Sequence, residues 1–462
     1  HESRESFFKY VEYTTSRFCH HNLTANNLKL ITSIRGHAEL DTINRCLELL
    51  LNKGVTQLLI NITSSSESAS ALYRLPNILL SCPELKYLTI RCCELPSSLM
   101  AGAAKFKSLT RLELGHVRIN DEVIKNITTS CPLLQIFHID TCRGFKRFCV
   151  HGHQNLQSVS IEYNIPLERI DIAAPNLSNL FIINWNDRGA PLMNVASCKK
   201  LTNVAYVGLP LQNSNGFTDF LSKFPFIEKL CLVTNYECNK LKFSSTSLRA
   251  LVLDSNCDLE EIEFSAPNLV SFSYSCDSDA LVSIVMDKQW PLLRDSAQLK
   301  ACMRCYPEGD IDALWFQKLR RFLNKKNGFK VLNLYIRAVN SQSFTELEKL
   351  KAVEVPPYEL EHVELQLETD EEPLAHIAFV DAVLWCCRPR SLTLRSSSRL
   401  TNFQEQNDVV KFTYKKLLQQ EDQGRTNIQI VSPSSSLLMA LTGKGKAISF
   451  IKEEEDRIRQ IL

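Results

Sequence analysis

No stretch of roughly eighteen consecutive apolar residues occurs in the chain, so a helical membrane span is not supported. Excess charge is missing too: 53 Lys and Arg stand against 51 Asp and Glu, giving a formal charge of +2 and an isoelectric point near 7.9. Nucleic-acid binders normally carry a basic face or a high domain pI, so neither nucleic acid nor membrane is expected as a partner. The N-terminus His1-Glu-Ser-Arg-Glu-Ser has no apolar secretory core, and the chain reads as intracellular, cytoplasmic or nuclear. A first residue other than Met suggests that more chain precedes it. Sequons at Asn22, Asn61, Asn126 and Asn176 would matter only in the secretory pathway.

Signals for chemistry are equally sparse. Cys302-Met-Arg-Cys305 has the spacing of a zinc or redox pair, but no second pair lies at a spacing that completes four ligands. Cys386 and Cys387 are adjacent, a poor chelating arrangement. Gly443-Lys-Gly-Lys446 lacks the earlier glycine of a phosphate loop, whose place Leu438 takes, and Ala447 offers no hydroxyl. The ten histidines, His20-His21 and His151-Gly-His153 among them, show no spacing that suggests a triad. Catalysis, a metal and a cofactor are therefore not expected. Many of the 17 cysteines, such as Cys92, Cys93, Cys142 and Cys231, lie in or just after strand-like stretches, where a reduced thiol packs as a small hydrophobe.

What the chain does have is a repeat. Its 44% apolar content excludes general disorder, and 462 residues exceed what one compact core usually holds. The triplet Leu85/Leu88/Ile90 places one turn residue and two same-face strand residues in a common core. It returns as Leu109/Leu112/Leu114, Leu134/Phe137/Ile139, Leu156/Val159/Ile161, Leu177/Leu180/Ile182, Leu201/Val204/Tyr206, Ile227/Leu230/Leu232, Leu248/Leu251/Leu253 and Leu269/Phe272/Tyr274, at steps of 21 to 26 residues. That is leucine-rich-repeat spacing, in which each strand-plus-return unit leans on its neighbours. The expected fold is a right-handed α/β leucine-rich-repeat solenoid with a curved, mostly parallel sheet from about 28 to 394 and helical or irregular return arms.

Along the chain, aromatic and polar residues at spacings near three and four predict a helix over 5–24 that covers the first repeat's open edge. A strand at 28–34 and a helix at Leu40–Leu51, stopped by Gly54, follow. Helical return arms are expected at Asp121–Ser130 and Gly216–Lys223, extended ones elsewhere. Ala-Pro-Asn-Leu stands at both 174–177 and 266–269, which implies two similar repeats. After Tyr274 the rhythm lengthens. A helix at Asp310–Asn327, apolar through Ile311, Leu314, Trp315, Leu319, Phe322 and Leu323, precedes strands at 329–336, 360–367 and 392–394. Helices near 373–387, with Pro373 in the first turn, and 405–420 alternate with them. The expected divisions are 1–53, N-terminal cap and first repeat; 54–280, leucine-rich repeats; 281–421, larger repeats; and 422–462, a divergent and partly ordered tail.

The words themselves carry a resemblance. Tyr73-Arg-Leu-Pro, Ser81-Cys-Pro-Glu-Leu-Lys-Tyr-Leu88, Phe106-Lys-Ser-Leu-Thr-Arg-Leu-Glu-Leu114, Cys131-Pro-Leu-Leu-Gln-Ile-Phe137, Leu384-Trp-Cys-Cys-Arg-Pro-Arg-Ser-Leu-Thr-Leu394 and Phe412-Thr-Tyr-Lys-Lys-Leu-Leu418 closely resemble plant F-box/leucine-rich-repeat proteins of the FBD-related group. The likeness spans about 10 to 420. It implies a non-catalytic module whose repeats recruit a target protein for ubiquitination, as part of an F-box subunit of an SCF-type cullin–RING ligase. In that family an F-box before the repeats docks on the Skp adaptor. No Leu-Pro-Asp…Arg-Trp stretch precedes Phe7, and Phe7-Phe8-Lys-Tyr-Val11 looks like the family's post-F-box helix. The chain is thus expected to begin just after the docking module, with the Skp adaptor and cullin–RING ligase as partners only if an F-box precedes it. The family's usual ending is also absent after Glu421. Two further readings stay open: a small-molecule receptor in the concave face, and a ligase-independent interaction scaffold.

Residues between the core positions of each strand point outward, onto the concave side. They are mostly polar on the first four strands, from Tyr87/Thr89/Arg91 to Ser158/Ser160/Glu162, and largely apolar on the next three. Exposed apolar patches mark partner sites. The partner site is therefore expected over 177–254, with Phe181, Ile183, Val207, Val233 and Val252 as its apolar surface and Asn179, Asn203, Lys229 and Asp254 as its polar rim. The cover is either a target protein or the chain's own C-terminal block.

Overall fold

All nine triplets are core: each of their residues, from Leu85 to Tyr274, is at most 4% exposed. Burying one such side chain is worth about 2 kcal/mol relative to leaving it in water, too little for a lone repeat and enough for a stack. In this computed structural model the described residues are 2–21, 23–64, 72–77, 79, 82, 84–96, 106–186, 189–208, 224–234, 240–255, 261–276, 283–286, 299–306, 311–324, 327–337, 350, 356–368, 373–395, 408–409, 411–413, 415–416, 427–432, 441–443 and 446–452. The chain divides into two units, His1–Leu211 with Ser222–Ile227, and Gln212–Leu221 with Glu228–Leu462.

The first unit opens with α1 (Glu2–His20), β1 (Asn27–Ile34), α2 (His37–Leu51) and β2 (Gln57–Ser64). The predicted N-terminal helix lies along α2: Arg4 Nε donates to Glu39 Oε1 at 2.7 Å, and Arg45 Nε donates to Glu12 Oε1 at 2.9 Å. Phe8 and Thr15, on one helical stripe, are buried, which leaves Phe7, Tyr10 and Tyr13 on the exposed stripe. Then come β3 (Tyr73–Arg74), β4 (Tyr87–Arg91), β5 (Cys93–Glu94), β6 (Arg111–Gly115), α3 (Asp121–Ser130), β7 (Ile136–Asp140), β8 (Arg147–His151), β9 (Ser158–Tyr163), β10 (Arg169–Ala173), β11 (Asn179–Asn184), β12 (Leu192–Asn194) and β13 (Asn203–Val207). Strands β1, β2, β4, β6, β7, β9, β11 and β13 pair in that order, all parallel. The return arms build a second parallel layer, β8–β10–β12, and a short β3–β5 pair.

A tight turn precedes six of the nine repeat strands and accounts for three of the cysteines, Cys82, Cys131 and Cys198. The amide of the first core residue donates three residues back: Leu85 to Cys82, Leu134 to Cys131, Leu177 to Ala174, Leu201 to Cys198, Ile227 to Phe224 and Leu269 to Ala266, all at 2.9–3.4 Å. Proline at the second turn position, as at Pro132, Pro175 and Pro267, presets the required φ. The acceptor residue faces the core, where a small Cys or Ala fits, and burial pushes the Cys131 thiol up to about 12. The two Ala-Pro-Asn-Leu turns share this geometry, as their sequence implies. Asn155 and Asn176 then tie repeats together, donating to the carbonyls of Pro132 at 2.8 Å and Gln154 at 2.7 Å.

Helix α3 forms where predicted. Asn120 Oδ1 caps it by accepting from the Val123 amide at 2.9 Å, and Asp121 Oδ1 accepts from the amides of Lys146 and Arg147 at the start of β8. The helical arm predicted at Gly216–Lys223 lies outside the described residues. Just past β4, β6 and β7 the chain turns through left-handed residues, Cys92, His116 and Thr141 (φ 55, 53 and 48°). For a β-branched residue that conformation is unfavourable by about 1 kcal/mol or more, whereas Asn tolerates it. Thr141→Asn is accordingly expected to stabilise the fold by about 1 kcal/mol, read as a rise in urea midpoint at constant slope.

The second unit continues with β14 (Lys229–Thr234), β15 (Lys240–Ser244), β16 (Ala250–Ser255), β17 (Glu261–Ser265), β18 (Ser271–Cys276), β19 (Ser283–Met286), β20 (Leu299–Cys305), α4 (Ala313–Phe322), β21 (Phe329–Arg337), β22 (Tyr358–Glu368), α5 (Pro373–Cys386), β23 (Cys387–Arg395), β24 (Asn427–Ser432), β25 (Leu441–Gly443) and β26 (Lys446–Lys452). Strands β14, β16, β18, β20, β21, β22, β23, β24 and β26 form one parallel series, with β15–β17–β19 as the return-arm layer. The sheet therefore runs past the expected end near 394, through β24 and β26. Gly443 and Lys446 are partners in the antiparallel hairpin β25–β26.

Helix α4 is capped by Asp312, whose Oδ1 accepts from the Trp315 amide at 2.9 Å. It begins three residues later than predicted, so Leu314 is exposed and Phe316, which the predicted face omits, is buried with Trp315, Leu319 and Phe322. Pro373 does open α5. The helix expected near 405–420 is present at 408–409, 411–413 and 415–416.

Candidate interaction surface

Alternation leaves one face of each parallel sheet to the outward residues, and register sets them in rows. In the first unit the middle row is Thr89, Glu113, His138, Ser160, Phe181, Ala205, and the next is Arg91, Gly115, Asp140, Glu162, Ile183, Val207. On the polar strands these groups satisfy one another. Glu113 accepts from Thr89 Oγ1 at 3.2 Å and from Arg111 Nε at 2.7 Å. Arg91 reaches two strands sideways to Asp140, with Nη1 3.2 Å from Oδ2. It can do so because Gly115 lies between them: a Cβ there would sit 2.9 Å from Arg91 Cγ.

The character changes at β11. Phe181 is 41% exposed, Ile183 and Val207 are half-buried neighbours, and Ala205 pairs with Phe181. Asn203 Nδ2 donates to Asn179 Oδ1 at 2.7 Å, which locks that edge of the patch. Asn179, Phe181, Ile183, Asn203 and Val207 are thus brought together. Trp185, 57% exposed, extends the apolar line and was not among the predicted residues. Its indole Nε1 donates to Glu162 Oε1 at 2.9 Å, fixing the ring beside the patch. The signal was available: Trp185 follows Ile183 by two, the period that placed Phe181 and Ile183 outward. Behind it, buried Asn184 holds the turn by accepting from the Asn186 amide and donating to Gly189 O, both at 2.9 Å. A crevice of about 130 Å³ lined by Tyr163, Pro166, Glu168, Asn184 and Pro191 lies at these strand ends, away from the outward rows.

In the second unit, Lys229 pairs in register with Ala250, Cys231 with Val252, and Val233 with Asp254. Val252 is 38% exposed and Val233 half-buried. Lys229, Val233, Val252 and Asp254 thus share the outward face of two adjoining strands.

The cysteine motif falls on β20, where residues three apart face opposite sides: Cys305 is buried and Cys302 lies on the outward face, so the two thiols cannot converge. Cys386 and Cys387 lie in the core, with Cys386 Sγ 3.3 Å from Phe316 O. Among the described residues no three His, Cys, Asp or Glu side chains converge to hold a metal, and no helix is long and apolar enough to cross a membrane.

Part of the chain is similar to known proteins. Residues 43–218 match the family model described as FBD-associated F-box protein At5g56370, LRR repeats. A curated relative, F-box/LRR-repeat protein At3g03360 of Arabidopsis thaliana, is 25% identical over 166 residues, which are 33% of this chain and 34% of the relative. The match thus spans about a third of that relative's length.

Proposed function

We propose that this chain, whose residues 43–218 match repeats of an FBD-associated F-box protein, is the target-recognition part of an F-box subunit of an SCF-type cullin–RING ubiquitin ligase. Repeats of this kind are protein-interaction modules. The observation that carries the reading is the Phe181/Ile183/Val207 patch, an apolar surface on a rigid sheet with the Asn179–Asn203 bond and Glu162-bound Trp185 at its border. Apolar groups held at a surface by fixed polar neighbours are what a protein partner desolvates. The chain itself acts without catalysis, in the cytoplasm or nucleus. The Skp adaptor and cullin join only through an F-box in the full gene product.

Affinity capture from plant extract, comparing the wild type with Phe181→Asp plus Val207→Asp, tests the site. Two buried carboxylates at an interface should lower retention of true partners by a factor of about 100, with an unchanged melting temperature. Unchanged partners would remove the patch from the reading. Partners that accumulate when the proteasome is blocked, together with Skp recovery by the full product, mark the ligase role. Partners of constant abundance would assign a ligase-independent scaffold.

A further inference from the structure

On the outward face of the second unit, three cations at the start of the parallel series stand without an ion-pair partner among the described residues. Register aligns Lys229, Ala250, Ser271 and Lys300 in one row, Cys231, Val252, Ser273 and Cys302 in the next, and Val233, Asp254, Ser275 and Arg304 in the third. Lys229, Lys300 and Arg304 are exposed, and among the described residues none of them has an ion-pair or hydrogen-bond partner. In the first unit, by contrast, Arg91 and Arg111 are both engaged by carboxylates on the same face. Between the cations lies a shallow floor of half-buried Ser271, Ser273, Ser275 and Cys302, the serine hydroxyls equally without partners among the described residues. On the far side Arg395 is already taken by Glu364. Burial, opposed by Glu364 and reinforced by Lys300, holds the His362 imidazole below its ordinary value.

Resting on the recognition role proposed above, we infer that this trough binds an extended, carboxylate-rich segment of the partner protein. The spacing selects that ligand. Lys229 and Lys300 stand three strands apart, about 14 Å, and Lys300 and Arg304 four residues apart along β20, about 13 Å. Cations so dispersed cannot converge on one phosphate as an arginine fork does, but they match carboxylates distributed along an extended chain. Small floor residues let the backbone of such a segment approach, and the serine hydroxyls are free to donate to its carbonyls. Charge pairing at an exposed face sets register and association rate, and it fades with salt.

The test uses the whole chain and a fluorescein-labelled ten-residue peptide of alternating Glu and Ser, followed by anisotropy. Binding should weaken about ten-fold or more in Lys300→Glu plus Arg304→Glu, and less in the Lys300→Gln plus Arg304→Gln variant, which guards against a folding defect. Raising salt from about 50 to about 300 mM should weaken it comparably. Equal binding of a Lys/Ser peptide, no effect of either double variant, or tighter binding of a singly phosphorylated Ser/Gly peptide would each overturn the assignment. If the charge variants keep every partner captured by the wild type, the trough is rejected while the recognition role stands; if the wild type retains no partner, the recognition role itself fails.

Discussion

Arg320→Ala should lower the stability of the second unit by about 4 kcal/mol, enough to unfold it at modest urea concentrations. Arg320 is only 8% exposed. Its guanidinium lies 5.2 Å from the Tyr358 ring centre and 4.8 Å from that of Trp385. Its nitrogens donate to the carbonyls of Trp385, at 2.7 Å, and Pro356. Among the described residues no carboxylate pairs with it, so two aromatic faces and two peptide dipoles carry the charge. Alanine would strand both carbonyls, at about 1–3 kcal/mol each, and remove cation–π contacts worth about 1–2 kcal/mol. Arg320→Lys keeps the charge without the planar fork and should lose about half as much. Equal unfolding midpoints for wild type and the alanine variant would show that the clamp holds nothing.

Phe137→Ala is expected to cost the first unit about 4 kcal/mol. Phe137 on β7 and Phe148 on β8 meet with ring centres 5.7 Å apart, both fully buried between the front strand and the return arm. Truncation leaves a void that strands fixed by their ladders cannot close. Because each repeat leans on the next, the loss should reach β6 and β9 and appear as faster amide exchange there. His138→Ala, one residue along and on the outward face, should stay within about 0.5 kcal/mol of wild type. Similar effects for the two would mean that β7 does not alternate between core and surface.

That pair of neighbours shows what was legible. The triplets contain their own geometry, since a period of two inside each strand and 21 to 26 residues between strands fix which side chains meet and with which partner in the next repeat. Asn179, Phe181, Ile183, Asn203 and Val207 were readable for the same reason. Trp185 lies one residue beyond the end of β11, where the alternation of the strand no longer dictates its side. The divergent tail has no triplet, and its strands emerge from pairing, β24 with β23 and β26 with β24.

What the sequence by itself determined is therefore the repeating, local part: strand positions, the tight turns before most of them, and the outward rows. Only the tertiary structure decided which charges are spent and which are free. Arg91 finds Asp140 across Gly115, and Arg320 finds carbonyls at Pro356 and Trp385. Lys300 and Arg304 find none among the described residues. Hydrophobic burial follows a periodicity written along the chain, whereas an ion pair or a guanidinium clamp requires two side chains far apart in sequence to meet within a few ångströms, and no spacing rule encodes that meeting.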